Sequence, residues 1–247
     1  MTFITKDTPE FASAINSAHY RQLFGAEAEQ VYPAVDDFEQ RMGYAIDRDR
    51  LEDAARVLAC PLKKNPPNSQ HGRVLYALAR NYLQGQVDVN ILDIGTAKSF
   101  SALCLLWALR DTDIIGTVTS VDVIDPNERV RRNTVAEVDG YKTLYETLEP
   151  WPESKAIVFK KRTGAEELAD SRSRIHICFI DGKHDGKIVA TEGYLLAQRQ
   201  VVGDLVMFDD VHIPDVWEAV RTLKPKYELE RLQILPHRAY AIGVRRG

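Results

Sequence analysis

The segment NILDIGTAKSFSAL spans residues 90–103 and decides how the chain folds. Its opening NILDI is a short apolar run of the kind that forms a buried strand. The small residues that follow, beginning at Gly95, mark a turn where the backbone passes close to a ligand before a helix starts. The segment therefore predicts a strand, a tight turn and a helix at the ligand-binding edge of an open α/β sheet.

After residue 90, short apolar runs alternate with amphipathic segments of helical length, a pattern typical of β-α-β units around a mainly parallel sheet. Seven strands are predicted, at residues 90–94, 117–123, 155–160, 175–180, 204–208, 227–233 and 238–244. Helices are predicted at residues 98–110, 128–148, 164–170, 186–201 and 214–223. Because residues 235–237 are too few for a helical crossover, the last two strands must pair as an antiparallel hairpin. The predicted fold is a Rossmann-like, doubly wound seven-stranded α/β sheet, mostly parallel, with N-terminal helices.

The N-terminal part of the chain has a different pattern. Apolar residues recur at helical spacing up to about residue 60, and a proline-rich loop follows at 61–68. A further helix is predicted at 70–84. We therefore expect a helical extension over residues 1–70, which would cap the catalytic domain at 71–247 and offer a surface for a homodimer.

Composition narrows the class of protein. The formal net charge of −4 gives no general attraction to nucleic acid or to an anionic membrane. Three cysteines without a CxxC pair argue against a disulfide framework or a structural zinc site. With no signal-peptide pattern and no long apolar stretch, a cytoplasmic protein that acts on a small molecule is expected.

Carboxylates follow two neighbouring apolar strands, at the point where each strand ends. Asp181 follows the fourth strand, and Asp209 and Asp210 follow the fifth. Because adjacent parallel strands are about 4.8 Å apart, these side chains are expected to converge within reach of one hard cation. His184 lies three residues after Asp181. The alternative reading is that these groups are only turn or helix-capping residues, and His212 and Asp185 are neighbouring candidates for base or ligand.

The turn after the first strand resembles motif I of the class I S-adenosylmethionine-dependent methyltransferases, in which an acidic residue precedes spaced glycines. Asp93 and Gly95 match that motif, whereas Ala97 and Ser99 stand where glycines are usual. The resemblance implies that S-adenosylmethionine is the cofactor and that Asp122, at the end of the second strand, holds its ribose. The implied cofactor-binding residues are Asp93, Gly95, Thr96, Ala97, Ser99, Ser101, Asp122, Gly164, Ala165 and Asp181.

The acidic residues resemble those of the metal-dependent O-methyltransferases of the catechol type. The interval of 28 residues between Asp181 and Asp209 matches that family, and Ile-Asp-Gly-x-His is similar to the macrocin type, which methylates macrolide sugars. The resemblance implies that Asp181, Asp209 and Asp210 bind Mg²⁺ or another divalent cation. It also implies that Asp181 and His184 are catalytic, with His184 as the base that removes a proton from a hydroxyl acceptor.

Other interpretations remain open at this stage. A NAD-type oxidoreductase would require glycines at positions 97 and 100, where the chain has Ala97 and Phe100. Proteins named as antibiotic hydroxylases are relatives of the macrocin type, so the fold does not guarantee methyl transfer. A non-catalytic subunit would not need the acidic residues. In structural terms, Gly95 would serve only a tight turn, Ser99 would only cap a helix, and Asp122 would be a solvated turn residue.

Overall fold

A seven-stranded sheet forms the centre of the computed structural model, which describes residues 17–59, 68–131 and 141–247. Its strands are β1 (Val89–Ile94), β2 (Gly116–Asp122), β5 (Ile157–Lys161), β6 (Ile177–Ile180), β7 (Leu205–Phe208), β8 (Tyr227–Leu235) and β9 (Arg238–Arg245). They lie in the order β5-β2-β1-β6-β7-β9-β8. The first five are parallel, and β9 runs antiparallel to both β7 and β8. The predicted sheet and its C-terminal hairpin are confirmed.

Helices cover both faces of this sheet. Those of the core are α4 (Gln70–Tyr82), α5 (Phe100–Arg110), α7 (Gly164–Asp170), α8 (Gly186–Ala197) and α9 (Pro214–Arg221). The four-residue strands β6 and β7 are entirely apolar and entirely buried. Strands of this kind lie in the middle of a parallel sheet, where helices exclude water from both faces.

Helix α5 is buried along almost its whole length, between the sheet and α4. Gly72 on α4 allows this close packing, since a Cβ at that position would lie 2.7 Å from the ring of Phe100. Tyr76, one turn further on, donates to Asp111 just beyond the end of α5. The two helices therefore run in the same direction, and the start of α4 lies beside the start of α5.

The N-terminal helices are α1 (Ser17–Glu29), α2 (Pro33–Met42) and α3 (Arg48–Ala54), and a π-helical turn (Ala55–Ala59) continues α3. They pack into the same apolar core as α4 and α5. Buried Arg73 of α4 forms an ion pair with Glu39 of α2, also buried. The division of the chain at residue 70 stays a prediction.

The helix predicted at 128–148 is wrong. The described residues there form two short paired strands, β3 (Val130–Arg131) and β4 (Tyr141–Lys142), and one helical turn, α6 (Leu144–Thr147). Thr143 starts that turn with a capping box, in which its side chain accepts from the Glu146 N–H. A cap of this kind marks a helix start rather than a helix interior. The predicted loop at 61–68 lies outside the described residues except for residue 68.

Candidate active site

The ends of β1, β6 and β7 meet at one edge of the sheet. The Asp181 N–H donates to the Ile94 carbonyl at 2.9 Å, and the Asp209 N–H donates to the Ile180 carbonyl at 3.1 Å. These bonds continue the strand pairing past the last residue of each strand. The three parallel strands therefore deliver their following residues to one small region, as the sequence predicted.

Asp181, His184 and Asp210 form a cluster there. One ligand atom from each lies within 4.8 Å of the other two, the spacing at which one metal ion can be held. His184 Nδ1 is 3.0 Å from Asp210 Oδ2, and the His184 side chain is about half exposed. The structure thus brings together three of the four residues that the sequence assigned to catalysis or metal binding.

Asp209, the fourth residue, has different partners. Its Oδ1 accepts from the Asp210 N–H at 2.6 Å and from Arg238 Nη1 at 3.4 Å. Arg238 Nη1 also donates to Asp210 Oδ1. Buried Asp209 therefore lies behind the cluster and shares a guanidinium with Asp210.

The backbone at Asp210 is left-handed, with a φ of 54°. Non-glycine residues adopt this conformation at a cost, and aspartate tolerates it better than most. The hydrogen bond from the Asp210 N–H to the preceding Asp209 side chain holds the turn in this shape. The turn directs the Asp210 carboxylate toward His184 and Arg238.

Burial and mutual repulsion raise the pKa of carboxyl groups in this cluster. The pKa of Asp181 is raised well above its usual value by burial, then by Asp209 and Asp210, while Arg238 opposes the shift. Burial raises the pKa of Asp209 to about 6, against the lowering effect of Arg238. A further positive charge nearby would stabilise the ionised form of these buried carboxyl groups.

Of the two neighbouring candidates, Asp185 has a structural explanation, and so does the nearby strand residue His176. Asp185 caps α8 by accepting from the Lys187 and Ile188 N–H groups. His176 is buried, and its Nδ1 accepts from the Asn90 N–H at 3.0 Å. His212 stays closer to the chemistry, with Nδ1 3.6 Å from Asp210 Oδ1 and a pKa lowered by burial.

The turn between β1 and α5 has a left-handed backbone at alternate residues. The φ angle is 100° at Gly95, 45° at Ala97 and 70° at Ser99. Ala97 and Ser99, which stand where motif I usually has glycines, therefore keep the backbone that glycine favours. The proposed capping role of Ser99 is not observed, because its side chain makes no capping hydrogen bond.

Gly95 is required by the protein itself. A Cβ at this position would lie 2.3 Å from the carbonyl oxygen of Asp181. The Gly95 N–H donates to the Val121 carbonyl at 2.9 Å, so the turn also contacts the end of β2. The absence of a side chain thus allows the cofactor turn and the Asp181 loop to touch.

Asp93 is fully buried beneath this turn. Ser120 donates to Asp93 Oδ2 at 2.5 Å, and the Ser120 and Thr96 hydroxyls are 2.6 Å apart. The pKa of Asp93 rises to about 6 because burial outweighs the hydrogen bonds from Ser101 and Ser120. Asp93 fixes the shape of the turn, and its predicted contact with a cofactor remains a prediction.

Asp122 lies in an open recess at the end of β2. Its Oδ2 accepts from the Ala97 N–H at 2.9 Å, and its Oδ1 accepts from the Ile124 N–H at 3.0 Å. Each oxygen keeps a second lone pair, so the carboxylate can also bind a diol. The recess is lined by Thr96, Ala97, Asp122, Ile124, Pro126, Leu144, Phe159 and Lys160.

The other predicted cofactor residues lie at the start of α7. Gly164 is buried, and a Cβ there would lie 2.5 Å from Glu192 Oε1 and from Ile94 Cγ2. Ala165 is partly buried. Neither lines the recess beside Asp122, whereas Phe159 does.

A second recess lies between the N-terminal helices and α4. Apolar side chains, among them Phe24 and Leu51, share its wall with the buried polar groups Glu27 and Arg73. Ser69 also lines it, and the adjacent Asn68 donates to the Tyr240 hydroxyl at 3.2 Å. Burial raises the pKa of Tyr240, the charge of Asp209 raises it further, and Arg238 opposes the shift.

Sequence reasoning missed Arg238, Phe159 and Glu192. The register of β9 against β7 could have indicated Arg238. Ala241 of β9 pairs with Phe208, the last residue of β7, so earlier residues of β9 must lie beside Asp209 and Asp210. No periodicity argument indicates Glu192, whose carboxylate is buried within an otherwise ordinary helix.

Comparisons with known proteins agree with this geometry. A sequence profile described as a methyltransferase domain matches residues 92–211. No curated protein sequence matches the chain. Solved structures of similar fold include O-methyltransferases and a methyltransferase from Podospora anserina, all at low sequence identity.

The structure of a Bacillus cereus O-methyltransferase in complex with SAH is 14% identical, with a TM-score of 0.55, and the match covers 88% of this chain and 92% of that one. The O-methyltransferase TomG of Streptomyces achromogenes, involved in tomaymycin synthesis and bound to SAM, is 14% identical, with a TM-score of 0.56 and coverages of 82% and 92%. The SAH-bound Podospora anserina methyltransferase PaMTH1 is 12% identical, with a TM-score of 0.56 and coverages of 90% and 94%.

The chain therefore has the fold of the class I S-adenosylmethionine-dependent methyltransferases. Residues 92–211, which match the methyltransferase-domain profile, contain the turn that resembles motif I and both acidic segments. The fold predicted from those residues is confirmed. Among the described residues, no helix combines the length and apolar character needed to span a membrane.

Proposed function

We propose that this protein is an O-methyltransferase that uses S-adenosylmethionine and a divalent cation to methylate a hydroxyl group of a small molecule. The observation that carries the proposal is the cluster of Asp181, His184 and Asp210 beside the cofactor turn of a methyltransferase domain. A base and a set of hard oxygen ligands at that position suit the activation of a hydroxyl group.

The residues present fit a divalent cation. Asp181 and Asp210 provide oxygen ligands within reach of one ion, with His184 at the same distance. Burial raises the pKa of Asp181 well above its usual value, and the neighbouring Asp209 and Asp210 raise it further. A bound cation would stabilise the ionised carboxylates and would lower the pKa of an acceptor hydroxyl.

The residues of the β2 recess fit S-adenosylmethionine. Asp122 presents a carboxylate with free lone pairs for a ribose diol, and Phe159 offers an aromatic face for an adenine ring. The cofactor would supply the electrophilic methyl group. The Gly95 turn would orient it, since that turn joins the Asp122 recess to the Asp181 loop.

His184 acts as the base in this proposal. Its Nδ1 lies 3.0 Å from Asp210 Oδ2, and this contact orients the ring. With the cofactor bound, the deprotonated acceptor oxygen would bond to the methyl carbon as the methyl C–S bond breaks, and S-adenosylhomocysteine would leave. The recess formed by Phe24 and Leu51 is where we place the body of the acceptor.

An assay with radiolabelled S-adenosylmethionine and a panel of phenols, catechols and sugars tests the proposal. We expect transfer to at least one hydroxyl in Mg²⁺ and its loss in EDTA, with recovery when excess Mg²⁺ is restored. Equal transfer in EDTA and in Mg²⁺ would remove the metal from the mechanism but would retain methyl transfer. Transfer to none of the acceptors in Mg²⁺, with the cofactor bound, would contradict the proposed acceptor class.

A further inference from the structure

Arg238 places a permanent positive charge among the carboxylates of the candidate metal site. Its Nη1 contacts Asp209 and Asp210, and its side chain is 18% exposed. It belongs to the start of β9 rather than to either of the acidic loops. Because a guanidinium does not lose its proton in proteins, this charge is fixed at every physiological pH.

The arginine changes what the carboxylate set can bind. Asp181, Asp209 and Asp210 carry three negative charges when ionised, and Arg238 balances one of them. Two negative charges remain, and one divalent cation would balance them. A trivalent cation would leave the site with an excess positive charge that the nearby guanidinium repels.

The geometry also separates the ligand set into two parts. Asp209 is engaged by Arg238 and by the Asp210 N–H, whereas Asp181, His184 and Asp210 Oδ2 face one another. Arg238 thus engages Asp209 and Asp210 Oδ1, while Asp210 Oδ2 faces His184. Its effect on an ion acts through Asp209 and Asp210, so Arg238 is a positioning residue.

We propose that Arg238 sets the charge of the cation that this site accepts, so that divalent ions are favoured over trivalent ions. The proposal rests on the proposed function, because it assumes that the cluster binds a metal. It adds a selectivity determinant that lies outside the motifs carrying the ligands.

Calorimetric titration of the full-length protein with Mn²⁺ alone and with Tb³⁺ alone tests the proposal without any activity assay. Three variants are compared with the unaltered protein. Arg238→Met removes the charge and keeps much of the side-chain volume, and Arg238→Lys keeps the charge. Arg221→Met is the matched control, because Arg221 forms a surface ion pair with Glu218 on α9.

We expect the ratio of Tb³⁺ affinity to Mn²⁺ affinity to rise by about tenfold or more in Arg238→Met, as Coulomb's law requires when a nearby positive charge is lost. The ratio should stay within about twofold of the original in Arg238→Lys and Arg221→Met, by the same reasoning. Thermal unfolding identifies any variant that has lost its fold. If Arg238→Met does not fold, Arg238→Lys must still show the original ratio of Tb³⁺ affinity to Mn²⁺ affinity.

Three results would overturn the proposal. If folded Arg238→Met binds Mn²⁺ with an unchanged ratio, the arginine does not set the charge, although the site still binds metal. A changed ratio in folded Arg238→Lys would show that more than charge is involved. If the unaltered protein binds neither ion, the metal role in the proposed function fails first, and this inference fails with it.

Discussion

Single residues in the turn after β1 decide whether the two halves of the site can meet. Gly95 contacts the Asp181 backbone, and Asp93 holds Ser120, which in turn holds Thr96. Beside them, His184 forms its contact with Asp210. Two substitutions test these roles separately.

Gly95→Ala should destabilise the protein and weaken cofactor binding. The left-handed backbone alone costs alanine about 1–2 kcal/mol, and the added Cβ would also collide with the Asp181 carbonyl. Gly85→Ala is the matched control, since Gly85 has a φ of 78° with open space around it. Urea unfolding and calorimetry with S-adenosylmethionine should show a small loss for Gly85→Ala and a larger loss, with weaker binding, for Gly95→Ala. Equal effects of the two variants would contradict the close contact.

His184→Gln should lower kcat by about 10²–10⁴-fold, the usual contribution of a general base. Affinity for S-adenosylmethionine should stay unchanged, because the proposal gives His184 no part in binding the cofactor. His212→Gln, which alters a histidine also near Asp210, is the control and should retain most of its turnover. Full turnover in His184→Gln, or a loss confined to His212→Gln, would reassign the base.

The sequence predicted some residues of the candidate site but not Arg238. Asp181, His184, Asp209 and Asp210 were found because strand ends converge whenever strands are parallel. Arg238 was missed because its place depends on the register of the hairpin against β7, which is fixed by packing rather than by local pattern.

At the scale of elements, periodicity predicted the strands well. Each of the seven predicted strands is observed, with ends within two residues of the predicted ones. The pattern is clearest for β6 and β7, because a fully buried strand needs an unbroken apolar run. The helix predicted at 128–148 was wrong because the spacing of apolar residues was the only signal used. Its apolar spacing suited a helix, but Thr143 starts a separate short helical turn with a capping box, so local capping chemistry outweighed the apolar spacing.

The capping box at the start of α7 offers a test at this scale. Thr163 accepts from the Glu166 N–H, and Glu166 accepts from the Thr163 N–H. Thr163→Ala should lower the free energy of unfolding by about 1 kcal/mol, as is usual for a lost N-cap. Thr191→Ala, on the exposed side of α8, should change it by less than about 0.5 kcal/mol. Urea unfolding of both variants measures the difference, and an equal loss would remove the capping role.

At the scale of the whole molecule, stability depends on buried acids outside the cluster. Glu192 on α8 is buried, its Oε2 has no hydrogen-bond partner among the described residues, and burial raises its pKa to about 7. The folded protein therefore holds a proton that the unfolded chain releases. Such a group stabilises the fold below the unfolded pKa of 4.5, and this contribution is lost as pH rises through about 7.

Glu192→Gln should remove this pH dependence. The difference in unfolding free energy between variant and original should shift in favour of the variant by about 2–4 kcal/mol between pH 4.5 and pH 8. Urea unfolding across that range measures it. Exposed Glu218→Gln, on α9, is the control and should show no such shift. A difference that is flat with pH would contradict a protonated Glu192.

Calorimetric titration of the purified protein with S-adenosylmethionine and with NAD tests most directly which cofactor the protein binds. We expect saturable binding of S-adenosylmethionine and no binding of NAD. The Asp122→Ala variant should bind S-adenosylmethionine more weakly. Binding of NAD without binding of S-adenosylmethionine would contradict the proposed use of S-adenosylmethionine.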